Sequence, residues 1–242
     1  MECRLVEFDL GTTKIFADGA DRAGIVTFSS DPVIQGFTTN PTLMRAAGVA
    51  DYEEFARDVV ELVRDRPVSF EVFSDEPDVM HQQARKIAGW GDHVHVKIPI
   101  TDTTGASTAV LQKNLAGDGV QLNVTALLTL AQVESAAAAL ADGPHAYVSV
   151  FAGRIADTGR DPVPIMQQAI EILAPYPHLE LIWASPREIL NVVQASEIGC
   201  HVITVTHELL KKLSCLGRDL DAVSLDTVQM FHRDAELSGY SL

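Results

Sequence analysis

Lys97 is the residue of this sequence best suited to covalent chemistry. It lies in His93-Val94-His95-Val96-Lys97-Ile98-Pro99-Ile100. In an extended segment Val94, Val96 and Ile98 share one face, and His95, Lys97 and Pro99 share the other. The other five lysines, Lys14, Lys86, Lys113, Lys211 and Lys212, are expected in helical or loop contexts where a solvated ammonium is ordinary. In a barrel strand both faces are enclosed, and a lysine near the C-terminal end points into the mouth. Desolvation there disfavours the charged amine. A neutral amine adds to a carbonyl and forms a Schiff base, an electron sink for breaking the neighbouring C–C bond. A strand-end lysine that snorkels to water or pairs with a carboxylate would give the same pattern without chemistry.

Other polar residues sit at the ends of apolar runs. Glu71 lies within Val68-Ser69-Phe70-Glu71-Val72-Phe73. A buried acid is costly unless hydrogen-bonded or protonated, and a raised pKa would suit it to acid–base work near neutrality. Pairing with a cation is the alternative. Asp9 follows Leu5-Val6-Glu7-Phe8, and Asn40 lies between Phe37-Thr38-Thr39 and Pro41. Asn123 and Thr125 follow Val120-Gln121-Leu122; Ser149 and Phe151 close another run, with Arg154 just beyond; Ser185 and Arg187 follow Leu181-Ile182-Trp183-Ala184. Each has a local explanation: Asn-Pro is a turn, Asp9 a cap, and Ser185-Pro186 a helix start with Ser as N-cap. Together, at strand ends, they would converge on one concave mouth.

The elements that must position these residues alternate. Strands are predicted at Arg4–Asp9, Gly36–Thr39, Val68–Phe73, His93–Ile98, Val120–Val124, Ala146–Phe151, Glu180–Ala184 and His201–Val205. Amphipathic helices are predicted at Asp51–Arg64, Asp78–Ala88, Ala126–Leu140, Val163–Leu173 and Pro186–Ala195, with Thr27–Gly36 read as a loop-like insertion. This is an α/β pattern, and its strand number over 242 residues favours a (β/α)8 TIM barrel as a single domain over 1–242. An additional C-terminal helix is expected at Asp219–Glu236, and an open doubly wound sheet is the alternative fold. No GxGxxG or P-loop pattern points to a nucleotide. The net charge of −15 disfavours nucleic acid and anionic membranes as partners. Three cysteines without CxxC spacing, no long apolar run and no leader-like N-terminus point to a cytoplasmic protein.

Several of these segments match one family in order. Thr38-Thr39-Asn40-Pro41-Thr42-Leu43, Glu71-Val72, Val96-Lys97-Ile98-Pro99, Leu122-Asn123-Val124-Thr125 and Phe151-Ala152-Gly153-Arg154-Ile155 resemble motifs of the transaldolase and fructose-6-phosphate aldolase family, from about Phe8 to about Leu213. The resemblance implies a cofactor-free and metal-free enzyme acting on sugar phosphates, and a homo-oligomer is expected. It implies that Lys97 forms the Schiff base with a ketose donor, and that Asp9 handles the proton of the C4 hydroxyl. Glu71 and Thr125 would hold the catalytic water. Asn40 and Asn123 would bind the dihydroxyacetone portion, with Ser149 near its C1 hydroxyl. Arg154 and Arg187 would bind phosphate through their forked donors, with Ser185 beside them.

Within that family, the aldolase branch has a pattern with Gln at the Glu71 position and Tyr at the Phe151 position. This sequence has Glu and Phe. Phe cannot protonate the carbanionic intermediate, so the resemblance favours transfer to an acceptor over release of free dihydroxyacetone. An aldolase-like lyase, a transaldolase acting on a modified sugar, and a non-catalytic sugar-phosphate binding protein are the alternatives. The sequence departs from the family where Asp9-Leu10-Gly11 replaces an Asp-Thr-Ala or Asp-Thr-Ser pattern. It departs again where Pro186 precedes Arg187, removing a backbone donor.

Overall fold

The computed structural model describes residues 10–239. Its strands are β1 Lys14–Asp18, β2 Ile34–Thr38, β3 Val68–Glu71, β4 Val94–Pro99, β5 Leu122–Leu127, β6 Ala146–Val150, β7 Leu179–Trp183 and β8 Val202–Thr206. They pair in parallel, each with the next, and β1 pairs with β8, so the sheet closes into a barrel. The helices are α1 Arg22–Ser29, α2 Pro41–Ala46, α3 Tyr52–Val63, α4 Pro77–Ala88, α5 Ala109–Gly117, α6 Leu130–Leu140, α7 Ala152–Asp157, α8 Val163–Leu173, α9 Leu190–Glu197, α10 His207–Leu210 and α11 Leu220–Ser238. The fold is a (β/α)8 TIM barrel, contained within the compact unit Leu10–Leu210. The described residues from Lys211 to Gly239 belong to a second unit. That unit contains α11, capped by the Asp219 side chain accepting from Ala222 N, which is the expected extra helix.

The strands form because β-branched and aromatic residues fill both of their enclosed faces. Val94, Val96 and Ile98, Leu122 and Val124, and Val148 and Val150 are all buried. Part of the core is a cluster of Phe16, Tyr147, Ile182, Ala184 and Val202. Gly36 is required beside it, because a Cβ there would lie 2.5 Å from the Phe16 ring. At the N-terminal end of the strands His95 Nε2 lies 3.1 Å from His145 Nδ1, and His145 Nε2 lies 3.5 Å from Glu180.

The structure corrects four expectations. The first strand of the barrel is Lys14–Asp18; the run Arg4–Asp9 lies outside the described residues. Lys14 is accordingly in a strand, where its Nζ donates to Glu180 at 2.7 Å. The supposed insertion Thr27–Gly36 contains the end of α1 and the start of β2. Ser185 does not cap a helix: α9 begins at Leu190, and the Arg187 and Glu188 amides donate to the Asn191 side chain.

Candidate active site

The C-terminal mouth of the barrel holds a cavity of about 430 Å³ lined by residues from many strand ends. Lys97 is among its lining residues. Register places Glu71, Lys97 and Asn123 side by side on β3, β4 and β5. Lys97 is 7% exposed, and its side chain lies in a polar setting rather than an apolar one. Its Nζ donates to the Thr39 carbonyl at 2.8 Å and lies 3.3 Å from Glu71 Oε2. The amine therefore has a carboxylate within proton-transfer reach and a backbone acceptor that fixes its direction.

On the β5 and β6 side a chain of hydrogen bonds builds a rigid polar floor. Ser149 Oγ donates to Asn123 Oδ1 at 2.7 Å, and Asn123 Nδ2 donates to Ser69 Oγ at 3.0 Å. Thr125 Oγ1 is buried with no hydrogen-bond partner among the described residues, although it lines the cavity. A buried hydroxyl of this kind calls for a water or ligand atom. Next to it, the β5–β6 register shifts between Val124 and Leu127, and Ala126 has φ 65°. Ser185, just beyond β7, has φ 61°. Strained backbone at non-glycine residues concentrates at functional sites, and both of these residues line the cavity.

Asp18 was not anticipated from the sequence. It ends β1, lines the cavity and accepts a hydrogen bond from Thr38 Oγ1 at 2.7 Å. Because that proton is committed to Asp18, Thr38 Oγ1 accepts from the neighbouring Thr204 hydroxyl. Burial pushes the Asp18 carboxyl above its ordinary value, and Glu71 adds to this; Lys97 and the Thr38 hydrogen bond pull the other way. Asp9, the sequence candidate for this strand-end role, lies outside the described residues. The signal that could have found Asp18 is Asp18-Gly19-Ala20, closer to the expected Asp-x-Ala pattern than Asp9-Leu10-Gly11.

Asn40 lines the cavity, but its Oδ1 caps α2 by accepting from Leu43 N at 2.9 Å. This leaves its amide nitrogen for a ligand. Phe151 forms part of the wall, and the Arg154 guanidinium lies over its ring, 5.4 Å from the centroid. Arg187 also lines the cavity, with its fork on Asp157: Nε donates to Oδ1 at 3.0 Å, and a second nitrogen to Oδ2 at 2.5 Å. The Arg187 hydrogen bond holds the Asp157 carboxyl below its ordinary value. The two arginines sit on segments in close contact. A Cβ at Gly153 would fall 1.5 Å from the Ser185 carbonyl oxygen. The mouth thus brings Lys97, Glu71, Thr125, Asn40, Asn123, Ser149, Phe151, Arg154, Ser185 and Arg187 together around one cavity.

Known proteins resemble this chain in sequence and in fold. The family model described as Transaldolase/Fructose-6-phosphate aldolase matches residues 15–238. A probable transaldolase of Streptococcus pyogenes serotype M5 (strain Manfredo) is 35% identical over 202 residues, covering 83% of this chain and 90% of that protein. The protein of the same description from serotype M49 (strain NZ131) matches to the same extent. Among solved structures, thiamine phosphate pyrophosphorylase from Pyrococcus furiosus superimposes with a TM-score of 0.54 at 15% identity, over 85% of this chain and 96% of that one. KGPDC from Streptococcus mutans gives 0.55 at 11% identity, over 82% and 89%. At such identities these two likenesses show the fold alone.

Proposed function

Because the chain belongs to the transaldolase/fructose-6-phosphate aldolase family, we propose that it moves a dihydroxyacetone unit from a ketose phosphate to an aldose phosphate through a Schiff base on Lys97. Fructose 6-phosphate is the proposed donor and erythrose 4-phosphate a suitable acceptor. The observation that carries this reading is the Lys97 amine at the barrel mouth, 3.3 Å from Glu71 and aimed by the Thr39 carbonyl. A protein that only binds sugar phosphates needs no Schiff-base lysine.

In this reading Lys97 Nζ adds to the C2 carbonyl, and loss of water gives an iminium. Glu71 and the unpartnered Thr125 hydroxyl serve the protons of that water. Asp18 accepts the C4 hydroxyl proton while the C3–C4 bond breaks. The aldose phosphate leaves, and the bonding electrons settle in an enamine on Lys97. An acceptor aldehyde then adds to the enamine, and the steps run in reverse. Asn123, Ser149 and the Asn40 amide nitrogen offer hydrogen bonds to the retained three-carbon unit. Phe151 gives the enamine an apolar wall with no proton to donate, which supports transfer over release. Arg154 and Arg187 are the proposed phosphate ligands. The pairing of Arg187 with Asp157 supports a second reading, a donor with a modified or less charged far end.

Borohydride reduction in the presence of fructose 6-phosphate tests the chemistry. Intact mass and peptide mapping should find the reduced adduct on Lys97, and Lys97→Ala should lose both adduct and transfer. Labelling of another lysine, or an active Lys97→Ala protein, would sink the proposal. Release of free dihydroxyacetone at the rate of transfer, without acceptor, would make the protein a lyase.

A further inference from the structure

β3 is short, and its pairing with β2 ends early. The β2–β3 register covers Phe37 with Val68 and Thr38 with Ser69, and the last backbone bond runs from Thr39 N to Ser69 O. Beyond it the preceding chain turns into α2 at Asn40 and Pro41. In a parallel ladder successive residues address opposite neighbours. Val68 and Val72 send their N–H groups to the β4 side, to His93 O and Lys97 O. Ser69 and Glu71 therefore address the β2 side, and at Glu71 no strand of the described residues is there. The Tyr52 hydroxyl takes that place: it donates to Glu71 O at 2.9 Å and accepts from Glu71 N at 2.9 Å. Both orphan backbone groups are satisfied by one side chain, as buried backbone requires. The phenol itself is clamped. Tyr52 opens α3 behind the Asp51 cap, and its ring packs edge-on against Phe73, Trp90 and Phe70 at 4.4, 5.5 and 6.2 Å.

We propose that Tyr52 is a positioning residue that stands in for a missing strand and holds Glu71 at the distance from Lys97 that proton transfer requires. Glu71 is the last residue of its strand. Its carboxylate can stay near Nζ only if the backbone beneath it is fixed on both sides. β4 fixes one side; Tyr52 fixes the other, from outside the cavity and without touching substrate. The inference rests on the reading of Lys97 and Glu71 given above.

The test is a double-mutant cycle on imine formation, read as the rate of borohydride-trappable adduct on Lys97 with fructose 6-phosphate. Tyr52→Phe removes only the hydroxyl. We expect a rate loss of roughly tenfold, the size of one or two lost hydrogen bonds. The pH profile should shift and KM for the donor should change little. In a Glu71→Gln background the same substitution should cost nothing further, because the group being positioned is gone. Absence of adduct in the wild type overturns the functional reading and this inference with it. A wild-type adduct together with an unchanged rate and pH profile in Tyr52→Phe overturns the inference alone. So does an equal fractional loss in both backgrounds. If Tyr52→Phe does not fold, 4-fluorophenylalanine at position 52, whose fluorine fills the space of the hydroxyl without donating a hydrogen bond, replaces it in the cycle, and a rate and pH profile equal to wild type overturn the inference.

Discussion

Asp18 shows how much a single side chain at a strand end depends on its neighbours. Its carboxylate is useful as a base only when ionised, and burial opposes ionisation. The Thr38 hydroxyl favours the anion by donating to it at 2.7 Å. Thr38→Val removes that donor, so the pKa should rise further and the acid limb of kcat/KM should move to higher pH. A limb that stays in place would separate Asp18 from the rate. Asp18→Asn should leave Schiff-base formation intact while slowing C–C cleavage by about 10²–10⁴-fold, a typical contribution for a general base. Borohydride should then trap the whole hexose phosphate on Lys97 rather than a three-carbon unit. The places of Lys97 and Glu71 at the mouth were legible in the sequence because a charged residue inside an apolar alternating run is costly to bury, and Thr125 stood out by its position after an apolar run. Asp18 was not, because Lys14-Ile15-Phe16-Ala17-Asp18 is short and opens with a charge. The segment Arg4–Asp9, with Leu5, Val6 and Phe8 before its own terminal aspartate, offered a competing strand of similar composition. The role of Lys14 in that strand depends on Glu180, a partner distant in sequence.

At the scale of elements, most strands and several helices follow from their residues alone. Val163–Leu173 forms the helix its pattern predicts. Asp51–Arg64 differs from α3 only at its ends, where Asp51 is the N-cap and Arg64 the C-cap. The misread boundaries lie where tertiary geometry overrides local preference. Ala126 and Leu127 look helical but extend β5 through a register shift, and Ser185-Pro186 resembles a helix start but forms a strained turn. That turn and α7 carry the proposed phosphate ligands, and here the structure adds Asp157. Arg187 must leave the Asp157 carboxylate to grip a phosphate. An exposed ion pair holds it by only about 0–1 kcal/mol, so Asp157→Asn should lower KM for a phosphorylated donor by up to roughly fivefold. Arg187→Ala should raise it by roughly tenfold to a hundredfold, with little change for an unphosphorylated donor. Equal effects on both donors in steady-state kinetics would remove Arg187 from phosphate binding.

Across the whole molecule, closing the sheet encloses ionisable groups at both ends of the same strand. Two residues before Lys97, His95 is 3% exposed, and burial lowers its pKa to about 3, His145 adding to the effect. Burial alone would raise the Glu180 pKa, but hydrogen bonds from His145 and Lys14 outweigh it and bring it to about 2. Both shifts act on stability with one sign. Below the ordinary histidine pKa of about 6.5 the unfolded chain takes up a proton that the folded chain refuses, so stability is full above that pH and falls as the pH drops. His95 loses up to about 1.4 kcal/mol per pH unit from there towards 3, and Glu180 joins below its ordinary pKa of about 4.5. Urea unfolding at pH 7 and pH 5 should show this loss, and His95→Asn should show a smaller one; equal losses would exonerate His95. At the other end of the barrel, the contact of Gly153 with the Ser185 carbonyl reaches beyond a single fold state. Any side chain at position 153 must displace the turn bearing Arg187, and any repacking of that turn meets the segment bearing Phe151 and Arg154. On the proposed phosphate roles of Arg154 and Arg187, the heritable unit of donor choice in this barrel is a pair of loops, and a lineage seeking a new substrate has to vary the two together.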